Sequence, residues 1–296
     1  MDMKSEKKIG VIGIDKGWST GKLLESIENR TGFRCLIEMQ SIRFDVGRGR
    51  VYHDDIDLSD LDALVVKKIG SSYNPYNLDR LEILRYLSEQ GVPIFSKPEN
   101  IKKAIDRLSC TTTLRLGNIP LPPTVITEDD TEAIEAIKRF GVAVLKPLYT
   151  SKARGMMVVS ADEAVEAVGK FHEAGNSLYY IQKKLNLPGR DLGLIFLGGK
   201  YLGTYARVAN GDSWNTTIRA GGKYQPYDPD DDIIKLAQRA QALFDLDFTS
   251  VDVAETDDGP VVFEVSAFGG FRGLQESRQI NAADLYVDYV LKEIAK

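Results

Sequence analysis

The segment SVDVAETDDGPVVFEVS, residues 250–266, sets two carboxylates where two strands would meet. Strand alternation puts Val251 and Val253 on one face and Asp252 and Ala254 on the other. In the second strand Val262, Glu264 and Ser266 share a face, opposite Val261, Phe263 and Val265. A three-residue turn, Asp257-Asp258-Gly259, with glycine in the left-handed position, would join them. Counting outward from it, Thr256 faces Pro260 and Asp252 faces Glu264. Like charges directly opposed in a sheet destabilise it. A hard divalent cation, Mg²⁺ or Mn²⁺, would compensate. A face open to water would do so too, and the pattern alone leaves both readings open.

A second segment, VLKPLYTSKARGMMVVS, carries a strand ending at Lys146-Pro147, a polar loop, and another strand. The hydroxyls of Thr150 and Ser151, the cations Lys152 and Arg154, and the backbone up to Gly155 suit polyphosphate oxygens. An ordinary exposed loop would also carry Lys and Arg. The loop is not a G-x-x-x-x-G-K-[ST] phosphate loop, and GVIGIDKG lacks the G-x-G-x-x-G dinucleotide fingerprint.

Further along, TYARVANGDSWNTTIRAGG supplies Arg207, Asn215 and Arg219, and arginine suits phosphate or carboxylate clamping. SAFGGFRG offers three glycines and Arg272, an anion nest or a plain turn. KKIGSSYNPYN is rich in hydroxyls and reads equally well as a helix entry. His53 and His172 read as surface residues and Cys35 as core. Cys110 falls in a helix with no base beside it, and no Ser/His/Asp arrangement is suggested.

The elements that must position these residues alternate. Strands are expected at Ile9–Ile14, Leu36–Phe44, Ala63–Lys67 and Val92–Phe95, with helices at Lys22–Asn29 and Asp79–Gln90, an open α/β unit over the first 95 residues or so. Ser96 with Glu99 reads as a capping box that opens a helix with Ile101, Ile105 and Leu108 as its stripe. NIPLPPTVIT reads as a linker. Beyond it come helix Thr131–Phe140, strands Val142–Lys146 and Met156–Ser160, helix Ala161–Glu173 and strand Leu178–Lys183. A hairpin of Asp191–Leu197 and Lys200–Val208 turns at Gly198-Gly199, helix Ile233–Phe244 precedes the carboxylate hairpin, and helix Ala282–Ile294 ends the chain.

Composition narrows the classes. The 296 residues carry 43% hydrophobic and 27% charged residues and a net charge of −5, which fits a globular protein of one or two domains and not a general nucleic-acid binder. Two cysteines and two histidines exclude a disulfide scaffold and a Cys- or His-rich metal site. The charged start MDMKSEKK and the short IGVIGI do not read as a secretory signal, and no apolar run approaches the roughly 18–20 residues of a membrane span. The expected address is the cytoplasm.

In this order, the pieces resemble an ATP-grasp ligase of the RimK-like branch. KIGSS resembles the family's RIGSS-type segment, and SKPENIKKAIDRLSCTTTL its helix with an Asp-Lys pair. VLKPLYTSKARGMMVVS resembles its Lys-Pro strand and phosphate loop, and YYIQKKL its adenine hinge. NTTIRAGG resembles its Asn-x-x-Arg-Gly-Gly stretch, and VDV…FEVS its metal hairpin. The SKARG and SAFGGFRG segments resemble a less familiar subgroup, the ATP-grasp member of the GAK gene system. The resemblance implies an ATP-grasp fold, mixed α/β, with an N-terminal open α/β domain over 1–96. A central lid over 97–182 and a C-terminal subdomain with the metal hairpin over 183–296 would follow.

It also implies roles. Lys146 would contact ATP phosphates, with Thr150, Ser151, Lys152, Arg154 and Gly155 closing over them. Gln182, Lys183, Lys184 and Leu185 would form the hinge. Asp252, Glu264 and Ser266 would hold Mg²⁺ or Mn²⁺. Arg207, Asn215 and Arg219 would sit near the transferred phosphoryl group. Three positions depart from the family: Arg107 replaces the Lys of the Asp-Lys pair, Ser266 replaces an Asn, and Lys183 and Lys184 stand where an acid is usual.

The implied chemistry activates a carboxylate with ATP as an acylphosphate and passes it to an amine or thiol. It needs positioning and charge neutralisation more than a nucleophilic side chain. A kinase on the same fold, or a non-catalytic nucleotide-binding regulator, shares these residues. Gly70 to Ser72 are expected to shape acceptor choice. Homo-oligomers are common in such proteins, and the sequence leaves that state open.

Overall fold

The computed structural model describes residues 6–72, 74–150, 153–210, 216–218 and 221–296. The fold is mixed α/β. It opens on β1 (Ile9–Ile12), whose four residues are all buried because neighbours cover both faces of a parallel sheet. α1 (Trp18–Thr31) follows and stops at Gly32, whose φ of 76° closes the last turn. Then come β2 (Leu36–Ile37), β3 (Ile42–Asp45), β4 (Arg50–His53), β5 (Ile56–Asp57), β6 (Ala63–Val66), α2 (Tyr76–Glu89) and β7 (Ile94–Phe95). A parallel sheet runs in the order β2-β1-β6-β7, and β3-β4-β5 form a separate antiparallel sheet. The strand expected over Leu36–Phe44 is therefore two strands in two sheets, parted by a 3-10 turn at Met39–Ser41. His53, expected at the surface, is buried in β4, where its Nε2 accepts the Glu38 N–H at 3.4 Å.

The capping box expected from Ser96 to Glu99 does not form. α3 (Pro98–Lys102) has Lys97 as its N-cap and no side-chain cap bond. Ser96 Oγ instead accepts the N–H of Asp247 at 2.8 Å, joining the first sheet to the far end of the chain. The helix is also broken: α4 (Arg107–Leu116) starts afresh because Asp106 caps it, accepting the Ser109 N–H at 2.8 Å. Such a cap contributes about 1 kcal/mol, and here it fixes Arg107 as the first residue of α4.

Part of the expected linker is structural too, since β8 (Thr124–Thr127) pairs with a later strand. α5 (Asp130–Phe140), β9 (Val142–Leu145), β10 (Met157–Ser160), α6 (Ala164–Glu173) and β11 (Tyr179–Lys183) complete a four-stranded sheet in the order β10-β9-β11-β8. This unit has a core of its own, in which Ile137, Phe171 and Tyr179 pack with Leu145 and Ile181.

β12 (Arg190–Leu197), β13 (Lys200–Val208), β14 (Lys223–Pro226), α7 (Asp231–Ala242), β15 (Phe248–Ala254), β16 (Val261–Ser266), α8 (Arg272–Arg278) and α9 (Ala282–Glu293) make up the rest. The strands form one sheet, β14-β13-β12-β15-β16. Its core is shared with the first sheet: Val251, Val253, Val262 and Val265 belong to the same cluster as Ile12, Leu64 and Leu84. α9 packs on α1, where Arg30 pairs with Asp284 and Asp288 at 3.0 and 2.6 Å.

Candidate active site

Two of these layers face each other across the candidate site. β9 and β11 bring Lys146 and Gln182 from one side, the sheet of β12 to β16 brings the acids and Arg207 from the other, and Arg107 on α4 stands between.

Asp252 and Glu264 are Cα partners across β15 and β16, as alternation and turn counting required. The route differs from the expected one. Near the turn Ala254 pairs with Val261 and Val253 with Val262, and a register shift then restores Asp252 to Glu264. Thr256 is not opposite Pro260 in this ladder; its carbonyl accepts the Gly259 N–H at 3.0 Å. The shift changes the faces as well. Val262, expected opposite Val265, turns into the core beside Val253 and Val265, and Phe263, expected on the face of Val261 and Val265, lies under the Lys146 ammonium at 5.2 Å.

Asp252 is held between opposing influences. Its Oδ2 lies 2.9 Å from Arg207 Nη2, while its Oδ1 is buried and, among the described residues, has no hydrogen-bond partner. Burial raises its pKa to about 6; Arg207 works against that, and Asp191 and Glu264 add to it. Asp191, which sequence reasoning missed, accepts Arg207 Nε at 3.0 Å, a second bond from Nη2, and the Thr216 hydroxyl. Burial opposes the charge on Arg207, but Asp252 and Asp191 hold its pKa well above the ordinary value. Arg207 is therefore a fixed cation. A hairpin count from Leu197 and Lys200 would set Asp191 opposite Ala206; a bulge at Ile195/Phe196 moves it opposite Arg207.

Lys146 follows β9, and its ammonium donates to Gln182 Oε1 at 2.5 Å. Burial lowers its pKa to about 7, with Arg107 adding to the shift and Glu264 opposing it. Gln182 is itself fixed, donating to Thr124 Oγ1 at 3.1 Å. Arg107 uses its fork three ways: Nε to the Pro147 carbonyl at 2.9 Å, Nη2 to the Thr150 carbonyl at 3.0 Å, and Nη1 3.9 Å from Glu264. A Lys there would present one compact ammonium in place of this planar fork. Arg107 thus ties the start of the basic loop to the acidic hairpin.

The remaining expected residues divide. Gly155, with φ of 67°, closes the basic loop near Pro147, and Arg154 is exposed just before it. Lys183 and Lys184 use their backbone N–H groups on the Pro123 and Val142 carbonyls at 2.8 and 3.0 Å, and Leu185 follows them. Ser266 is a Cα partner of Ser250, and its Oγ accepts the Phe268 N–H at 3.2 Å. Arg272, considered for an anion nest, pairs with Glu276 on its own helix. Ser151, Lys152, Asn215 and Arg219 lie outside the described residues.

The donor set fits a hard cation. The unpartnered, buried Oδ1 of Asp252 beside a second carboxylate is what such an ion would satisfy. Among the described residues no group of three or more His, Cys, Asp or Glu forms a metal cage. Ligand phosphate oxygens and water would complete the coordination, as Mg²⁺ prefers.

Among the described residues no helix is long and apolar enough to cross a membrane. The RimK-like ATP-grasp domain model matches residues 104–290. A tetrahydromethanopterin:alpha-L-glutamate ligase of Methanocaldococcus jannaschii is 26% identical over 296 residues, covering 97% of this chain and 99% of the relative. The alpha-aminoadipate–LysW ligase LysX of Saccharolobus solfataricus is 28% identical over 228 residues, covering 74% of this chain and 82% of that one. A solved RimK domain ATP-grasp protein of Sphaerobacter thermophilus superposes with a TM-score of 0.75 at 20% identity, over 95% of this chain and 98% of that one. With the site's cations and paired acids in place on this fold, the chain belongs to the RimK-like ATP-grasp family of ATP-dependent ligases that form carbon–nitrogen bonds.

Proposed function

We propose that the protein joins a carboxylate to the amine of an amino acid such as L-glutamate, through an acylphosphate, with Mg²⁺ or Mn²⁺ held by Asp252 and Glu264. The observation that carries this is the buried, unpartnered Asp252 Oδ1 opposite Glu264, with Arg207 closing its other oxygen. The amino-acid acceptor is supported by the relatives, several of which are named alpha-L-glutamate ligases.

The residues divide the work. Lys146 and Arg107 face the ATP phosphates, and the segment from Thr150 through Ser151, Lys152 and Arg154 to Gly155 covers them. Gln182 to Leu185 border the adenine. A cation held by Asp252 and Glu264 would supply charge neutralisation to the phosphates, and Ser266 or water would serve as a neutral oxygen donor. Arg207, joined by Asn215 and Arg219, faces the group in transfer. A carboxylate oxygen of the substrate forms a bond to the γ-phosphorus as the bond to the bridging oxygen breaks and ADP leaves. The amine nitrogen then bonds to the acyl carbon, phosphate departs with the oxygen, and the amine proton goes to solvent. Arg207 neutralises charge in both steps and moves no proton, because Asp191 and Asp252 keep it protonated. The covering segment keeps water from the acylphosphate.

The test is ATP turnover with a panel of carboxylates and L-glutamate, with and without hydroxylamine. ADP release with a hydroxamate trapped in place of the amide supports the reading. A stable phosphate ester with no hydroxamate would replace it with the kinase.

A further inference from the structure

One row of Cα partners crosses four strands of the large sheet: Tyr205 on β13, Gly193 on β12, Asp252 on β15 and Glu264 on β16. Directly paired residues in an antiparallel sheet share a face. The row therefore carries a phenol, a gap and two carboxylates on the face that holds Arg207.

The gap is required by the phenol. A Cβ on Gly193 would stand 2.5 Å from Tyr205 Cζ and 2.7 Å from its Oη, so the ring lies across the glycine toward Asp252. A second glycine does the same from another element. A Cβ on Gly273 of α8 would stand 2.5 Å from Cδ1 and Cζ of the same ring. Tyr224 meets the ring edge-on at 5.1 Å. Glycine inside a strand or helix costs roughly 0.5–1 kcal/mol, and in a strand it marks a close approach. Two glycines on separate elements are spent on one tyrosine, which is buried and within electrostatic reach of Arg207, Asp252 and Asp191. Packing alone would be served by phenylalanine. Burial pushes the phenol above its ordinary pKa, which keeps it a hydrogen-bond donor.

We propose that Tyr205 is a further member of the site, its hydroxyl donating a hydrogen bond to an anionic oxygen of the phosphoryl group held beside Asp252 and Arg207. This rests on the phosphoryl-transfer reading of the site. Gly193 and Gly273 make the room that lets the hydroxyl arrive.

The experiment uses the full chain and two probes. Tb³⁺ takes the same hard oxygen ligands as Mg²⁺ and emits when a nearby phenol is excited. AMP-PNP with Mg²⁺, followed by calorimetry, reports the phosphate contact. In Tyr205→Phe the sensitised emission should fall to less than half, with Mg²⁺ still displacing Tb³⁺. Its AMP-PNP affinity should drop about tenfold, the loss of one hydrogen bond to a charged group. Gly193→Ala should lose emission likewise, because the added methyl drives the ring aside, whereas Tyr224→Phe should keep it. Circular dichroism confirms that each variant is folded. Unchanged emission or unchanged affinity in folded Tyr205→Phe overturns the assignment and leaves the phosphoryl-transfer reading standing. A wild type that binds neither Mg²⁺ nor Tb³⁺ by calorimetry overturns that reading, and this assignment with it.

Discussion

Asp191 and Asp252 share one guanidinium. Arg207 donates through Nε to Asp191 at 3.0 Å and lies 2.9 Å from Asp252 Oδ2 through Nη2. Asp191 therefore decides how much of Arg207 is left for Asp252. In Asp191→Asn the guanidinium should turn wholly to Asp252 and compete with a cation there. We expect weaker Mg²⁺ binding by calorimetry and a stability loss on the order of 3 kcal/mol in urea, typical of a broken buried pair. Unchanged Mg²⁺ affinity would show that Asp191 does no more than anchor Arg207.

The second prediction concerns pH. Burial and its acidic neighbours raise Asp252 to about 6 in the folded protein, from an ordinary value of 3.8. The carboxylate form that takes a cation is thus lost as pH falls through about 6. Mn²⁺ affinity, followed by electron paramagnetic resonance, should be level above pH 7 and fall about tenfold for each pH unit below the bend. A bend near pH 4 would mean that Asp252 is not the ligand.

Glu264 and Ser266 should differ sharply. Glu264 brings a charge to the cation, while Ser266 brings a neutral oxygen already accepting the Phe268 N–H. Glu264→Gln should cost more than the roughly 100-fold that loss of an outer partner costs a metal site, and Ser266→Ala far less. Mg²⁺ affinity and ATP turnover measure both, and equal losses would contradict the ligand roles.

Arg107 offers a test of the loop. Its Nε and Nη2 hold the Pro147 and Thr150 carbonyls while Nη1 approaches Glu264. Arg107→Lys keeps the charge but loses the fork. Trypsin cleavage at Lys152 or Arg154 should then quicken, and AMP-PNP with Mg²⁺ should protect the wild type more than the variant. Equal protection would show that the fork does not order the loop.

Buried Lys67 should leave a mark on stability. Its ammonium donates to the Gly269 carbonyl between the rings of Phe248 and Phe271, and burial lowers its pKa to about 7 from 10.5. The unfolded chain then binds more protons between about pH 7 and 10.5, so this lysine makes stability rise with pH in that window. Lys67→Met should flatten the rise in urea midpoint from pH 7 to 9. An unchanged slope would contradict the shift.

Much of the fold and part of the site were legible in the sequence. The opposition of Asp252 and Glu264 followed from alternation, and the strand before Lys146 from its apolar run, because both are local patterns. Asp191 was not legible, since a bulge at Ile195/Phe196 displaces the count by one residue. Val262 was placed on the face opposite Val265 for the same reason, yet joins it in the core through the shift beside Asp252. Ser96 carried a true cap pattern, but its hydroxyl serves Asp247, 151 residues away. Local propensity lost there to a tertiary contact. Tyr205 drew no notice because its importance rests on two glycines that come together only in the fold.

The measurement that bears most directly on the whole account is calorimetry of AMP-PNP binding, with and without Mg²⁺, in wild type and Asp252→Asn. Binding should be strengthened by Mg²⁺ in the wild type and indifferent to it in the variant. Equal Mg²⁺ dependence in the two proteins, or none in the wild type, would contradict it.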